Sequence, residues 1–204
     1  QAGVVAAHAA IDRKAEDYYA GLVSNAVLGG SYSARLNEEI RIKRGLSYGA
    51  HSSLDALRDG GWLVASAQTK NPSAVEVVRL MRQQFASLAD APPSADELKA
   101  RKATMIGGFA RSLDTTSGLA SQISERAVYG VPLDEINQHI QRIEAVDADQ
   151  VRDFARKHLG AKNLKVVVVG DGTVFGKEMK KAWPAAEFIK ADRLDLSRAD
   201  LGSR

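Results

Sequence analysis

The stretch LGGSYSARLNEEIRIKRGLSYG, residues 28–49, contains the local signals that decide the fold. Apolar residues before it recur at helical spacing, so the sequence predicts a helix over residues 15–28 that Gly29-Gly30 ends. A second, shorter helix is predicted from about Ala34 to Lys43, and Arg44-Gly45 marks its end. The chain then enters a strand. These signals together predict two helices and a strand, joined by glycine turns.

Working outward, the pattern of apolar residues and turns predicts five strands. Gly3 to Ala10 is small and β-branched before a polar turn, which is typical of a buried strand. Leu46–Leu54 and Gly61–Thr69 are separated by a polar, glycine-ended stretch and predict a hairpin. The continuous apolar run Leu164–Val169 predicts a central strand covered on both faces. A short edge strand is predicted near Glu187–Lys190.

Helices dominate the middle of the chain, and several begin at recognisable start signals. Asn71-Pro72-Ser73 opens one helix. Ser94 with Glu97, and Asp147 with Gln150, are capping-box signatures, in which side chains and backbone amides bond reciprocally, so a helix should start at each. The other predicted helices run from the cap at Asp114-Thr115-Thr116 to Val128, around residues 136–143, and over residues 175–182.

This order of elements predicts an α+β fold, a two-layer sandwich in which a mixed, mainly antiparallel sheet packs against helices. Residues 1–190 form a single domain in this interpretation, and residues 191–204 form a polar tail. With 204 residues, 45% of them hydrophobic and 26% charged, the composition is that of an ordinary globular domain. Because the chain begins at Gln1 without an initiator Met or a signal sequence, we expect it to be a piece of a longer protein.

Composition also argues against several partners. The net charge of +3 is spread along the chain instead of gathering in one tract, so nucleic acid is not indicated. The apolar runs are far shorter than the roughly 20 residues of a membrane helix, so no membrane span is predicted. Without cysteine the chain has no disulfide framework, no thiolate nucleophile and no cysteine-based zinc site.

Three other kinds of site find little support in the motifs. No histidine has a second His or a Glu three or four residues further on, so no zinc site is predicted within this chain. The histidines are His8, His51, His139 and His158. Gly170-Asp171-Gly172 is similar to a phosphate-binding turn, but Gly176 comes one residue late for the G-x-G-x-x-G spacing. Ser47 comes within one residue of a G-x-S-x-G nucleophile motif, but it enters a strand and not a strand-to-helix elbow.

Residues 28–49 resemble the second-domain signature of the pitrilysin-type, or insulinase-like, zinc metallopeptidases, which include proteins related to the mitochondrial processing peptidase. In that family a glycine pair ends the first helix, a short helix carries an Arg, and a Gly-Leu-x-Tyr turn leads into the next strand. The same order stands here as Gly29-Gly30, Arg41 and Gly45-Leu46-Ser47-Tyr48. The resemblance continues through Ser94–Lys102, Gly130-Val131-Pro132, Asp147–Ala155 and Val166–Asp171, and so covers nearly the whole chain.

The resemblance implies the family's repeating α+β unit, whose first copy bears an inverted His-x-x-Glu-His zinc motif and whose second bears an Arg/Tyr pair. Carried over to this sequence, the catalytic pair is Arg41 and Tyr48. A guanidinium and a phenol are donors that can steady the negative charge that peptide hydrolysis builds on the carbonyl oxygen. Residue types alone favour Arg41 as a solvated helix residue and Tyr48 as sheet packing, and the resemblance reverses that interpretation. Arg44 is the nearest rival of Arg41, but it lies on the turn.

Small residues around this pair imply further contacts with a peptide. The resemblance implies substrate binding by Arg41 and Tyr48 together with Gly29, Gly30 and Ser47. Small side chains would let an extended peptide approach the strand, although they equally suit tight helix packing. The positions concerned are Ser47, Gly49, Ala50, Ser52 and Ser53.

The resemblance therefore implies the substrate-binding, metal-free domain of a zinc-dependent metalloendopeptidase, inactive by itself. Zinc in the complete enzyme would be bound by a domain or subunit not present in this chain. The expected partners are a peptide or unfolded protein and a zinc-bearing N-terminal domain or partner subunit, in a homo- or heterodimer. The alternative is a non-catalytic structural or assembly subunit of the core-protein type. A third hypothesis, an unrelated α+β domain that binds small molecules, would need a deep pocket. Family habit favours a periplasmic or secreted bacterial setting, and a cytoplasmic one stays open.

Overall fold

The computed structural model describes residues 1–160, 163–195 and 197–198. Within these residues, four strands form one sheet in the order β2-β3-β1-β4, and each neighbouring pair is antiparallel. The strands are β1 (Ala2–Ala10), β2 (Ser47–Ala56), β3 (Gly61–Thr69) and β4 (Lys165–Val169). The predicted α+β class is confirmed, and the predicted hairpin is the pair β2 and β3.

Helices form the second layer. They are α1 (Tyr18–Leu28), α2 (Arg35–Asn37, continued by a π-helical turn over Glu38–Ile42), α3 (Ala74–Asp90), α4 (Ala95–Leu113), α5 (Thr116–Tyr129), α6 (Glu135–Ala145), α7 (Ala148–His158) and α8 (Gly172–Ala182). Short 3-10 turns occur at Asn71–Ser73 and Ala191–Arg193. In the part of the chain that the structure describes, none of the helices has the length and hydrophobicity that a transmembrane span requires.

Capping explains where two of these helices begin. At α7 the predicted capping box is complete, because the Gln150 amide donates to Asp147 Oδ1 at 2.8 Å and the Asp147 amide donates to Gln150 Oε1 at 2.8 Å. At α4 only half of the predicted box forms. The Glu97 amide donates to Ser94 Oγ at 3.2 Å, but the Glu97 carboxylate accepts from Arg35 at 2.7 and 2.9 Å instead of turning back to Ser94. This ion pair, between residues distant in sequence, joins α2 to α4.

The sheet has one buried and one open face. Ala2, Val4 and Ala6 of β1 are completely buried on the face that packs against helices α1 and α3. Val5 and Val167 point the other way, and their exposed fractions are 40% and 59%. Alternation along the strands therefore separates a core face from a face that the helices leave uncovered.

Two strand predictions are wrong. The run Leu164–Val169 is predicted to be a central strand, but β4 lies at the edge of the sheet and pairs with β1, and Val169 is 70% exposed on its uncovered face. Glu187–Lys190 forms no strand. Lys180 Nζ donates to the Ala186 carbonyl at 2.9 Å, which ties the start of that segment to α8 and not to β4. The boundary between a domain over 1–190 and a tail over 191–204 stays a prediction.

Candidate functional site

Arg41 lies in the π-helical turn that follows α2. The Lys43 amide donates to the Glu38 carbonyl five residues earlier, at 2.9 Å, which is the hydrogen bond of a π-turn. Gly45 ends the turn with a φ of 61°, in the left-handed region that favours glycine, and its amide donates to the Arg41 carbonyl at 2.9 Å. Ile40 is completely buried, so the turn is anchored to the core while Arg41 lies near the surface.

Arg41 differs from the basic residues around it in its partners. Three neighbours are held in ion pairs, namely Arg35 with Glu97 at 2.7 Å, Lys43 with Glu39 at 2.6 Å, and Arg44 with Glu39 at 2.5 Å. Within residues 1–160, 163–195 and 197–198, Arg41 makes no ion pair. Its guanidinium carbon lies 4.8 Å from the centre of the Tyr32 ring, in a cation–π contact. The donors of Arg41 therefore stay available to a ligand, whereas those of its rival Arg44 are engaged.

Tyr48 lies in a β-bulge at the start of β2. Ser47 is opposite Thr69 and Ala50 is opposite Ala67, so three steps along β2 match two along β3. The Ser47 hydroxyl stabilises the bulge, because it donates to the Gly49 carbonyl at 2.7 Å and accepts from the Gly49 amide at 3.1 Å. The Tyr48 side chain is 94% exposed. A large aromatic residue so poorly covered adds little to the core, which leaves its hydroxyl free to meet a ligand.

Gly29 and Gly30 have a packing role that is independent of any substrate. A Cβ on Gly29 would lie 2.5 Å from the Ser52 amide nitrogen, and one on Gly30 would lie 2.9 Å from Ala26 Cα. The Ser52 amide donates to the Gly29 carbonyl at 3.0 Å. The glycine pair thus lets the end of α1 touch β2, and the small Ala50 and Ser52 are buried beneath this contact.

Two cavities meet beside the bulge. The first has a volume of about 290 Å³ and is lined by residues that include Arg41, Tyr32 and the glycine pair. The second has a volume of about 1040 Å³, lies along the open face of the sheet, and is lined by residues that include Tyr48 and Lys70. Gly49 and His51 line both cavities. The structure thus places Arg41 and Tyr48 on adjacent cavities and not in one pocket. We call the two cavities together the β2 groove.

Further residues shape the β2 groove without any local signal in the sequence. Asn37 is buried; its Nδ2 donates to the Tyr32 carbonyl at 2.6 Å, and its Oδ1 accepts from the Ala50 amide at 3.1 Å. It therefore fixes the segment that carries Tyr32, whose ring supports Arg41. His51 Nε2 lies 3.0 Å from Ser66 Oγ on the neighbouring strand. A polar residue in a helical pattern looks like a solvated one, so only the long-range contact identifies Asn37.

The histidines do not form a metal site. His8 is buried against the Phe85 ring, His139 stacks on Phe109 at 4.1 Å, and His158 Nε2 lies 2.8 Å from Asp17. No three His, Cys, Asp or Glu side chains come together as metal ligands anywhere in the described ranges. The residues that the structure describes therefore supply no ligand set for a zinc ion.

Comparisons with known proteins match this chain to one peptidase family. The family model of the peptidase M16 inactive domain matches residues 4–105, half of the chain. An uncharacterized zinc protease of Streptomyces coelicolor is 28% identical over 168 residues, which are 82% of this chain and 37% of that protein. A protein of Helicobacter pylori named as a non-peptidase homolog is 22% identical over 145 residues, 71% of this chain and 34% of that protein.

A solved structure shows the same fold. The crystal structure of a peptidase M16 inactive domain from Pseudomonas fluorescens has a TM-score of 0.76 and 26% identity, over 82% of this chain and 40% of that one. Fold and relatives define the inactive domain of a zinc-protease-like protein. The chain belongs to the peptidase M16 family, as its inactive domain. The resemblance seen in residues 28–49 is thereby confirmed, and the chain spans little more than a third of the curated relatives it matches.

Proposed function

We propose that this chain is the substrate-binding half of a zinc metallopeptidase, and that the metal and the general base lie in another domain or subunit. The observation that carries the proposal is the β2 groove. There a guanidinium without an ion pair in the described residues and a 94% exposed phenol flank the shared residues Gly49 and His51. Within the described residues, the Arg41 guanidinium contacts the Tyr32 ring but no carboxylate, and the Tyr48 phenol is almost fully exposed. Their availability favours a role toward a ligand.

The role of the pair follows from its chemistry. Arg41 presents several N–H donors in a fixed plane, and Tyr48 presents one O–H donor, so both suit carbonyl oxygens of a bound peptide. When a peptide bond is attacked, negative charge develops on its carbonyl oxygen, and a positioned donor stabilises that charge more than the neutral carbonyl. Loss of one such donor typically lowers kcat by about 10²–10³-fold.

The peptide would lie in the groove and would not extend the sheet at the outer edge of β2. The amides of Ala50 and Ser52 at that edge already donate to Asn37 Oδ1 and to the Gly29 carbonyl, at 3.1 and 3.0 Å. An added strand would find these donors taken. A peptide crossing the open face near the bulge meets Tyr48 directly.

The proposal is tested in the complete protein, with its zinc-bearing part, on a peptide substrate. We expect Tyr48→Phe and Arg41→Ala to lower kcat by about 10²-fold with a smaller change in KM, because each removes a donor used mainly in the transition state. Arg44→Ala is the matched control, since Arg44 is already paired with Glu39, and it should keep kcat within about twofold. Unchanged kcat in both variants would rule out the pair.

A structural or assembly role is the second candidate, and the similarity to the non-peptidase homolog of Helicobacter pylori favours it. The sequence of the rest of the protein or of its partner discriminates between the two. A His-x-x-Glu-His motif there supports the peptidase. If no zinc-bearing part exists, the groove would serve binding alone, and Arg41→Ala would weaken an association without any change in hydrolysis.

A further inference from the structure

Charge in the β2 groove is of one sign. Lys70 lines the same cavity as Tyr48, is exposed, and forms no ion pair within the described residues. Arg41, in the adjoining cavity, likewise has no acidic partner in that part of the chain. Among the described residues that line the two cavities there is no Asp or Glu, although the chain has 25 acidic residues. The groove thus offers positive charge and neutral polar groups, with no carboxylate from its described lining to compensate the charge.

The position of Lys70 relative to Tyr48 follows from the strand register. Tyr48 lies in the bulge between Ser47, opposite Thr69, and Ala50, opposite Ala67, so it is level with Gln68. Lys70 continues β3 in extended conformation, with φ −73° and ψ 146°, so its side chain lies on the same face as that of Gln68. Two residues of extended chain span about 7 Å. An extended peptide therefore reaches Lys70 about two residues away from the residue that meets Tyr48.

We infer that the β2 groove selects peptides with an acidic side chain about two residues from the residue that Tyr48 contacts, and that Lys70 determines this specificity. The inference rests on the proposed function, because it assumes that the groove holds the peptide. Uncharged polar groups on the same face, Gln68 and Ser66, can hydrogen-bond the peptide whatever its charge. The exposed ammonium of Lys70 discriminates by charge, and an exposed ion pair of this kind changes affinity about two- to fivefold.

The experiment measures the binding of labelled peptides to the complete protein by fluorescence anisotropy, after a chelator has removed the metal so that nothing is cleaved. The peptides form a series in which a single Glu, Gln or Lys is moved along an otherwise neutral sequence. At one position the Glu peptide should bind the wild-type protein about two- to fivefold more tightly than the Gln peptide. Lys70→Glu should reverse the order, so that the Lys peptide binds best at that same position.

The control variant is Lys181→Glu, which makes the same charge change on an exposed lysine in the last turn of α8, away from the groove, and should keep the wild-type preference. Equal melting temperatures show that the variants are folded. A Glu preference that is absent in the wild-type protein, or that survives Lys70→Glu, overturns the inference.

Arg41→Ala separates this failure from failure of the proposed function. If Arg41→Ala lowers kcat in the zinc-loaded protein while Lys70→Glu shifts no binding preference, only the inference about charge is lost. If Arg41→Ala and Tyr48→Phe leave kcat unchanged and no peptide binds, both proposals are lost.

Discussion

The molecule uses arginine in two opposite ways, in a buried cluster and in the β2 groove. Arg13 and Arg126 are 4% and 1% exposed and share the buried carboxylate of Glu135, at 2.5 and 3.2 Å. Arg41 and Lys70 of the groove lie near or at the surface without a carboxylate partner in the described part of the chain. The fold therefore gives the buried guanidiniums Arg13 and Arg126 a counter-charge, whereas the two accessible cations of the groove have none among the described residues.

The buried cluster joins three parts of the chain that are distant in sequence. Arg13 follows β1, Arg126 lies in α5, and Glu135 begins α6. The Arg13 guanidinium also lies 4.0 Å from the centre of the Tyr18 ring. Burial favours the neutral acid, but the two guanidiniums outweigh it and lower the pKa of Glu135, so the carboxylate stays charged. Removing any one of these three side chains would therefore leave buried charge less well compensated.

The largest effect is expected from a substitution that breaks this cluster. Glu135→Gln keeps the shape but removes the carboxylate that Arg126 faces and leaves Arg13 with Glu125 alone, at 3.4 Å, which should lower the free energy of unfolding by about 3–5 kcal/mol. Arg41→Ala, the corresponding change in the groove, should alter it by less than about 0.5 kcal/mol. Urea unfolding followed by circular dichroism measures both values. Similar losses in the two variants would abolish the distinction between the two regions.

The second-largest expected effect concerns Gly29, which lines the β2 groove. Gly29→Ala places a methyl group 2.5 Å from the Ser52 amide nitrogen, so the contact between α1 and β2 must open. We expect a loss of about 1–3 kcal/mol in the free energy of unfolding. Gly108→Ala is the control, because a Cβ there meets nothing within 4 Å inside α4, and it should stabilise the protein by about 0.5–1 kcal/mol. Thermal unfolding of the two variants should show opposite signs.

The smallest expected effect is a loss of stability on acidification, and it concerns the region of the buried cluster. Burial, and then the charge of Arg126, lowers the pKa of His139 to about 4. The unfolded chain has a histidine pKa near 6.5, so between about pH 6.5 and 4 only the unfolded state takes up this proton, and stability falls as pH falls through that window. The loss should be about 1–2 kcal/mol, since the ring is partly exposed.

His139→Gln removes the titrating group and keeps an acceptor near the Tyr19 hydroxyl, which lies 3.2 Å from His139 Nδ1. Unfolding free energies measured from about pH 7 to 4 should decline less in this variant than in the wild-type protein. An identical slope in both proteins would assign the pH dependence to other groups.

Sequence reasoning succeeded where the signal is local. The hairpin of β2 and β3, the glycine end of α1 and the complete capping box at Asp147 all depend on residues within a few positions of one another. It failed where the answer depends on distant partners. Glu97 had the right spacing to turn back to Ser94, but Arg35, 62 residues away, takes its carboxylate.

The same limit explains the error at β4. A continuous run of valines is compatible with burial on both faces, and only the strand order shows that β4 lies at an edge with one face uncovered. The candidate site shows the same limit of prediction from sequence. The resemblance indicated Arg41 and Tyr48, but the pairing of their neighbours, the bulge and the support of Tyr32 by Asn37 are three-dimensional facts. The roles of the site residues stay predictions.

The π-helical turn over Glu38–Ile42 has a consequence for how insertions and deletions act on this protein. Such a turn holds one residue more than the α-helical turn it replaces, so it is equivalent to a single-residue insertion within a helix. Deleting one residue there would restore α-helical winding, so the residues within the turn would change position relative to α2 and β2. Arg41 would then lose its place above Tyr32, although no side chain of the groove had been substituted. The reach of the guanidinium therefore depends on the length of the chain at this point as much as on its chemistry.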